Sequence, residues 1–169
     1  MLMQRVSVVV AVLMIISLPL ATNSVAEESE AELVERGRYI LNAIEGCGCH
    51  TREDQHGHKV KEWHLAGAPE KPPKVGSPAN AGWTNARYKK IYASNITPDP
   101  ETGIGKWTEA DFILAMRSGV TPSGRVLDAQ MPWTAFLGIT DRDLKSMWAY
   151  LKTLKPIKNK VPDNIPLNK

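Results

Sequence analysis

Apolar residues recur at three- and four-residue spacing from Glu30 to Ile44, at Leu33, Gly37, Ile40, Leu41 and Ile44. That period predicts an amphipathic first helix. Gly37 costs such a helix about 1 kcal/mol relative to Ala. Its place mid-helix predicts that another element packs closely there, and Trp148 or Tyr150 of the last helix is the expected neighbour. Thr108-Glu109-Ala110-Asp111 reads as a helix start, a capping threonine with an acid three residues on. That helix should run to about Arg117 and stop at Gly119. Thr140-Asp141-Arg142-Asp143 repeats the start signal. A last helix follows to about Leu154, with Leu144, Trp148, Leu151 and Leu154 on one face, and Pro156 ends it. Residues 51–106 hold six Gly and six Pro, so this stretch reads as a long loop that wraps something. No strand-like alternation of any length appears, and no internal repeat. The expected class is all-α, with a C-terminal tail from about residue 156.

The first residues follow a different logic. A basic start, Met1 to Arg5, precedes the apolar run Val6 to Leu20, and Ser24-Val25-Ala26 offers small residues for cleavage. This is the layout of a signal peptide over 1–26, leaving 27–169 as the domain. The apolar run is about 15 residues, against the roughly 20 that a spanning helix needs. The competing reading is an uncleaved anchor. Export predicts a periplasmic protein, free or peripherally associated with a membrane.

Charge excludes one class of partner. The 169-residue chain carries 21 basic and 18 acidic residues, a net +3 that is too weak to suggest nucleic acid. Five Glu fall between Glu27 and Glu35, while Lys145, Lys152, Lys155, Lys158, Lys160 and Lys169 gather near the other end. Such asymmetry suits docking to a charged partner, or simply solvates two surfaces. No nucleophile motif, phosphate-cradling loop or carboxylate pair points to a catalytic centre, so an enzyme is not expected.

The candidate chemistry lies at Cys47-Gly48-Cys49-His50, directly after the first helix. The usual attachment motif for c-type haem is C-x-x-C-H. Here one residue is missing, and Gly46 stands where the first cysteine would. A disulfide between residues two apart is strained. The residues alone leave haem attachment, a redox disulfide and a metal site open. His56, His58 and His64 add metal-ligand types, but they lie in a polar, Lys-rich loop and read as solvated histidines.

The rest of the chain carries a resemblance. The run YASNITPDPETGIGKW from Tyr92 to Trp107, then Met131-Pro132-Trp133, then Ala149-Tyr150-Leu151-Lys152 closely resemble bacterial class I-like c-type cytochromes. These include the cytochrome c subunits of alcohol and gluconate dehydrogenases and related stand-alone monohaem cytochromes. Arg36-Gly37-Arg38-Tyr39 also looks like that family, and the likeness covers roughly residues 33–160.

The resemblance implies a cytochrome c-like fold, with N- and C-terminal helices packed around one covalent haem c. It implies Cys49, and with it Cys47, as attachment residues, His50 as proximal and Met131 as distal iron ligand. Asn95 and Trp107 are the expected donors to a haem carboxylate. A carbonyl from the loop of Pro69, Pro72 and Pro73 is expected to hold the His50 ring. The implied role is outer-sphere electron transfer, as a carrier or as the electron-accepting subunit of a dehydrogenase. The implied partners are a dehydrogenase, a quinol-oxidising complex or a terminal oxidase, with association to a membrane complex. The shortened motif predicts a secure thioether at Cys49 and a weak or absent one at Cys47. The competing functions are a haem-based sensor or peroxidase with an open iron position, and an exported non-haem protein using Cys47 and Cys49.

Overall fold

The structure, a computed structural model, describes residues 28–44 and 46–167, without the side chains of Gly46 and Cys47. The signal-peptide reading of 1–26 lies outside the described residues.

Helix α1 spans Glu30–Ala43. Ser29 caps it reciprocally with Glu32, so two otherwise unpaired N–H groups are satisfied. The five-residue α2, Gly46–His50, follows at once. The long loop contains a 3-10 turn at Lys61–Trp63, a short helix α3 at Pro78–Ala81 and a strand β1 at Tyr88–Lys90. Helix α4, Glu109–Ser118, has the Thr108–Asp111 capping box and ends at Gly119 in the left-handed region. A 3-10 segment, Trp133–Gly138, leads into α5, Asp141–Thr153, capped by Thr140. Strand β2, Ile165–Pro166, pairs antiparallel with β1.

That two-stranded sheet corrects the all-α expectation: the fold is mostly helical with one small sheet. Strands of three and two residues are too short for a period of two to show in sequence. The chain after Pro156 runs back over the long loop as a strap. The buried Asn159 amide donates to the Ala66 and Ala68 carbonyls at 2.7 and 2.8 Å and accepts from Arg52 at 2.7 Å. Ile157 and Asn164 are tied to Asn95, Thr97 and Tyr92 of the long loop.

Helices α1 and α5 pack together over a core of Leu41, Phe112, Met116, Leu144, Met147, Trp148 and Leu151. Gly37 is where they touch. A Cβ there would stand 2.9 Å from the Met147 nitrogen and still closer to the Ser146 carbonyl. The neighbour is therefore the Ser146–Met147 peptide, not the Trp148 or Tyr150 side chain. A residue with no Cβ lets backbone meet backbone.

Arg36 binds Asp143 at 2.6 Å and Arg142 binds Glu28 at 2.7 Å, bridging α5 to the start of the fold. Burial pushes the Asp143 carboxyl up, but hydrogen bonds from Arg36 and Thr140 outweigh it and hold it below its ordinary 3.8. A carboxylate with a depressed folded pKa stabilises above its unfolded value, and that contribution is lost as pH falls through it. Arg36→Gln should therefore cost about 1 kcal/mol or less at neutral pH. The cost should fade below about pH 4, where wild-type Asp143 is itself being protonated. Urea denaturation of both proteins across pH checks this, and a cost independent of pH would refute it.

No helix among the described residues is long and apolar enough to cross a membrane.

Candidate functional site

Helix α2 carries Cys49 and His50 into the body of the fold. Its last residue is anchored through the main chain, the Gly67 N–H donating to the His50 carbonyl at 2.8 Å. The next residue, Thr51, is buried and accepts from the Leu65 N–H at 3.0 Å.

The His50 Nδ1 lies 2.7 Å from the Ser94 carbonyl oxygen. That oxygen can only accept, so Nδ1 carries the proton and Nε2 keeps its lone pair for a metal. Burial pushes the His50 pKa down; the Ser94 bond opposes this and the Arg125 charge adds to it. The net effect favours the neutral imidazole, the form that ligates.

Ser94 is the acceptor, and the Pro69, Pro72 and Pro73 loop is not. The cause is a close approach at Gly67, which has φ +77°. A Cβ at Gly67 would stand 2.6 Å from the Ala93 oxygen and the Ser94 carbonyl carbon. Glycine alone lets the Ser94 peptide come in beneath the imidazole. Both residues were visible in sequence, but nothing local joins positions 44 apart.

His50 opens onto a cavity of about 1420 Å³. It exceeds the roughly 300–1,000 Å³ of ordinary small-molecule sites. Leu41, Ile104, Phe112, Met116, Met147 and Leu151 give it apolar walls. Cys49, His50, Met131, Asn95 and Trp107 line it too. The Cys49 side chain is exposed. The Cys47 side chain lies outside the described residues.

Met131 sits half-buried against the core. The chain around it is held on both sides. Its N–H donates to the Asp128 carbonyl at 2.9 Å. The Trp133 indole lies on Gly119, where a Cβ would come 2.7 Å from the Trp133 Nε1. The Arg117 guanidinium donates to the carbonyls of Phe136, Leu137 and Ile139 at 3.2, 3.1 and 2.5 Å, and to Asp141 at 2.7 Å. Sequence reasoning passed over Arg117; its signal was a cation in the last turn of α4, one residue before Ser118 and the Gly119 cap.

Asn95 departs from its expected role. Its amide donates to the Ile157 carbonyl at 2.7 Å and to Thr102 Oγ1 at 3.1 Å, and its oxygen accepts from Thr97. A side-chain amide has two donors, and both are spent inside the protein. Asn95 ties loop to strap instead of offering a donor to a carboxylate. Trp107 is half-buried, and its indole N–H has no acceptor among the described residues.

The loop histidines stand apart from this cavity. His56 and His58 are exposed on a turn closed by Asp54. His64 differs from its expected solvation: it is half-buried, 3.3 Å from the Tyr150 hydroxyl, and burial pushes its pKa down.

The donor set suits the group that the resemblance implies. One imidazole, one thioether and one thiol share the wall of a single cavity, and its apolar residues match a flat hydrophobic macrocycle. Closed zinc sites, by contrast, use four N or S ligands. No group of three His, Cys, Asp or Glu among the described residues is placed to hold a metal ion.

No protein-family model matches the chain. Over 136 residues it is 35% identical to a nicotinate dehydrogenase subunit of Pseudomonas putida, covering 79% of this chain and 10% of that protein. It is 33% identical over 141 residues to the alcohol dehydrogenase (quinone) cytochrome c subunit of Gluconobacter oxydans, covering 82% and 25%. A third relative is the gluconate 2-dehydrogenase cytochrome c subunit of Pantoea cypripedii, 32% identical over 141 residues, covering 80% and 27%. The chain thus spans between a tenth and about a quarter of the length of these curated relatives.

Proposed function

The chain belongs to the cytochrome c-like family of its dehydrogenase-subunit relatives, and from that premise we propose that it is an exported, single-haem electron-transfer protein with His50 and Met131 as axial ligands. The observation that carries this reading is the convergence of Cys49, His50 and Met131 on one cavity. Haem c would supply a one-electron iron couple there.

The protein's own residues do the rest. Ser94 orients the His50 ring and keeps its tautomer. The Arg117 and Trp133 contacts hold the chain just past Met131, so a thioether can be presented from a fixed segment. The apolar walls exclude water, which favours the less charged redox state. His/Met ligation raises the potential relative to other ligations. The protein so equipped accepts electrons from a dehydrogenase, either as its cytochrome subunit or as a separate carrier. A quinol-oxidising complex, which releases electrons, is the alternative donor, and a terminal oxidase is the acceptor, in the periplasm or at a membrane complex.

Met131→Ala tests the ligand assignment and separates it from the sensor or peroxidase reading. Wild type, reduced, should bind carbon monoxide poorly. The variant should bind it readily and show a potential lower by on the order of 0.1 V, a fraction of the ~0.8 V that axial ligands span. An unchanged spectrum and potential would remove Met131 from the iron.

A further inference from the structure

The cavity is bordered by three cations, Arg125, Lys158 and Lys160, and by four acids, Glu70, Glu101, Asp128 and Asp163. Lys158 is paired with Glu101. Arg125 and Lys160 form no ion pair among the described residues.

Arg125 is exposed at the cavity's rim, but its main chain and its guanidinium are both held. It closes a tight turn in which the Thr121 N–H donates to the Arg125 carbonyl at 2.9 Å and the Arg125 N–H to Thr121 Oγ1 at 3.2 Å. Val120 and Val126 flank that turn as an antiparallel bridge. One guanidinium nitrogen donates to the Ser94 hydroxyl at 3.1 Å, on the same residue whose carbonyl holds His50. A guanidinium has five N–H donors in a planar fork, so one face of this fork is spent and the rest is free.

The group implied for the cavity carries two carboxylates. Asn95 has no donor left for them. The acids that border the cavity, Glu70, Glu101, Asp128 and Asp163, repel them. Asp128 is itself occupied by Asn85 and the Gln130 N–H. A free guanidinium edge beside the proximal ligand is the complementary partner.

We propose that Arg125 is the anchor for one haem carboxylate, taking it on the guanidinium edge that Ser94 leaves free. The inference rests on the haem reading above. The bond to Ser94 aims the fork, and the carboxylate in turn neutralises a charge that otherwise borders an apolar cavity. Trp107 is left as the donor to the second carboxylate.

The test uses the exported holoprotein and compares wild type with Arg125→Gln, Arg125→Lys and Lys160→Gln. A carboxylate paired with a guanidinium stays ionised, so the wild-type potential should be nearly flat between about pH 5 and 8. Arg125→Gln removes the charge that holds that carboxylate ionised, so its pKa rises. The potential should then become pH-dependent, and a protonated-carboxyl band should appear in the redox-difference infrared spectrum. Arg125→Lys should restore much of the flat profile, and Lys160→Gln should keep it. A flat profile with no new band in Arg125→Gln overturns the proposal, as does the same change appearing in Lys160→Gln instead. Wild type without covalent haem would overturn the underlying haem reading, an outcome visible before any variant is made.

Discussion

Gly37→Leu is expected to cost the protein more than about 3 kcal/mol, beyond ordinary overpacking. The obstacle at this position is the Ser146 carbonyl and the Met147 nitrogen, main-chain atoms on the buried side of α5 that cannot rotate away. Even Gly37→Ala should destabilise by about 2 kcal/mol, although alanine returns about 1 kcal/mol of helix propensity. At roughly 2–8 °C per kcal/mol, the alanine variant should melt about 4 °C or more lower and the leucine variant about 6 °C or more lower. Gly138 is the control, since a Cβ there would meet nothing within 4 Å. Gly138→Ala should leave the melting temperature nearly unchanged. If Gly37→Leu melts with wild type, the two helices do not meet at this residue.

The second large effect concerns the two cysteines. Cys49→Ala is expected to abolish covalent haem, while Cys47→Ala keeps it. In the usual motif the cysteines are three residues apart, and residues three apart in a helix share a face. Here they are two apart in the helix α2. At about 100° per residue, positions two apart point to different sides. Cys49 lines the cavity next to His50, so it keeps the normal relation to that ligand. A single thioether leaves one vinyl unreacted, which should move the reduced absorption band to longer wavelength than in a two-bond haem c. Intact mass of the exported protein reads both the attached haem and the mature start, expected near Glu27. Covalent haem in Cys49→Ala but not in Cys47→Ala would reverse the assignment. A colourless wild-type protein would favour a redox disulfide or metal site instead.

What the sequence by itself determined about this protein is what local interactions decide. The caps at Thr108 and Thr140 act across three residues, and the structure starts α4 and α5 directly after them. The stop at Gly119 and the periodicity of α1 are equally local. The attachment region and Met131 stood out because their chemistry is rare and their neighbours form a specific run. The close approach at Gly37 was legible too, since an internal glycine is costly in a helix without a packing reason.

Only the tertiary structure decided where the side-chain donors go. A histidine announces that its Nδ1 needs an acceptor, but any carbonyl satisfies that need, and the fold supplied Ser94. An asparagine in a turn-rich run can serve a ligand or its own loop, and Asn95 is claimed by Ile157, 62 positions away. Asn159 and the β1–β2 pair turn the chain's end into a strap for the same reason. Arg125 carries no local mark at all. It matters because a turn sets it on the wall that Ser94 and His50 share. Helical periodicity and caps are sums over a few neighbouring residues, so they survive in one dimension. A hydrogen bond between distant residues depends on which segments share a wall, and that is settled only when the whole core closes.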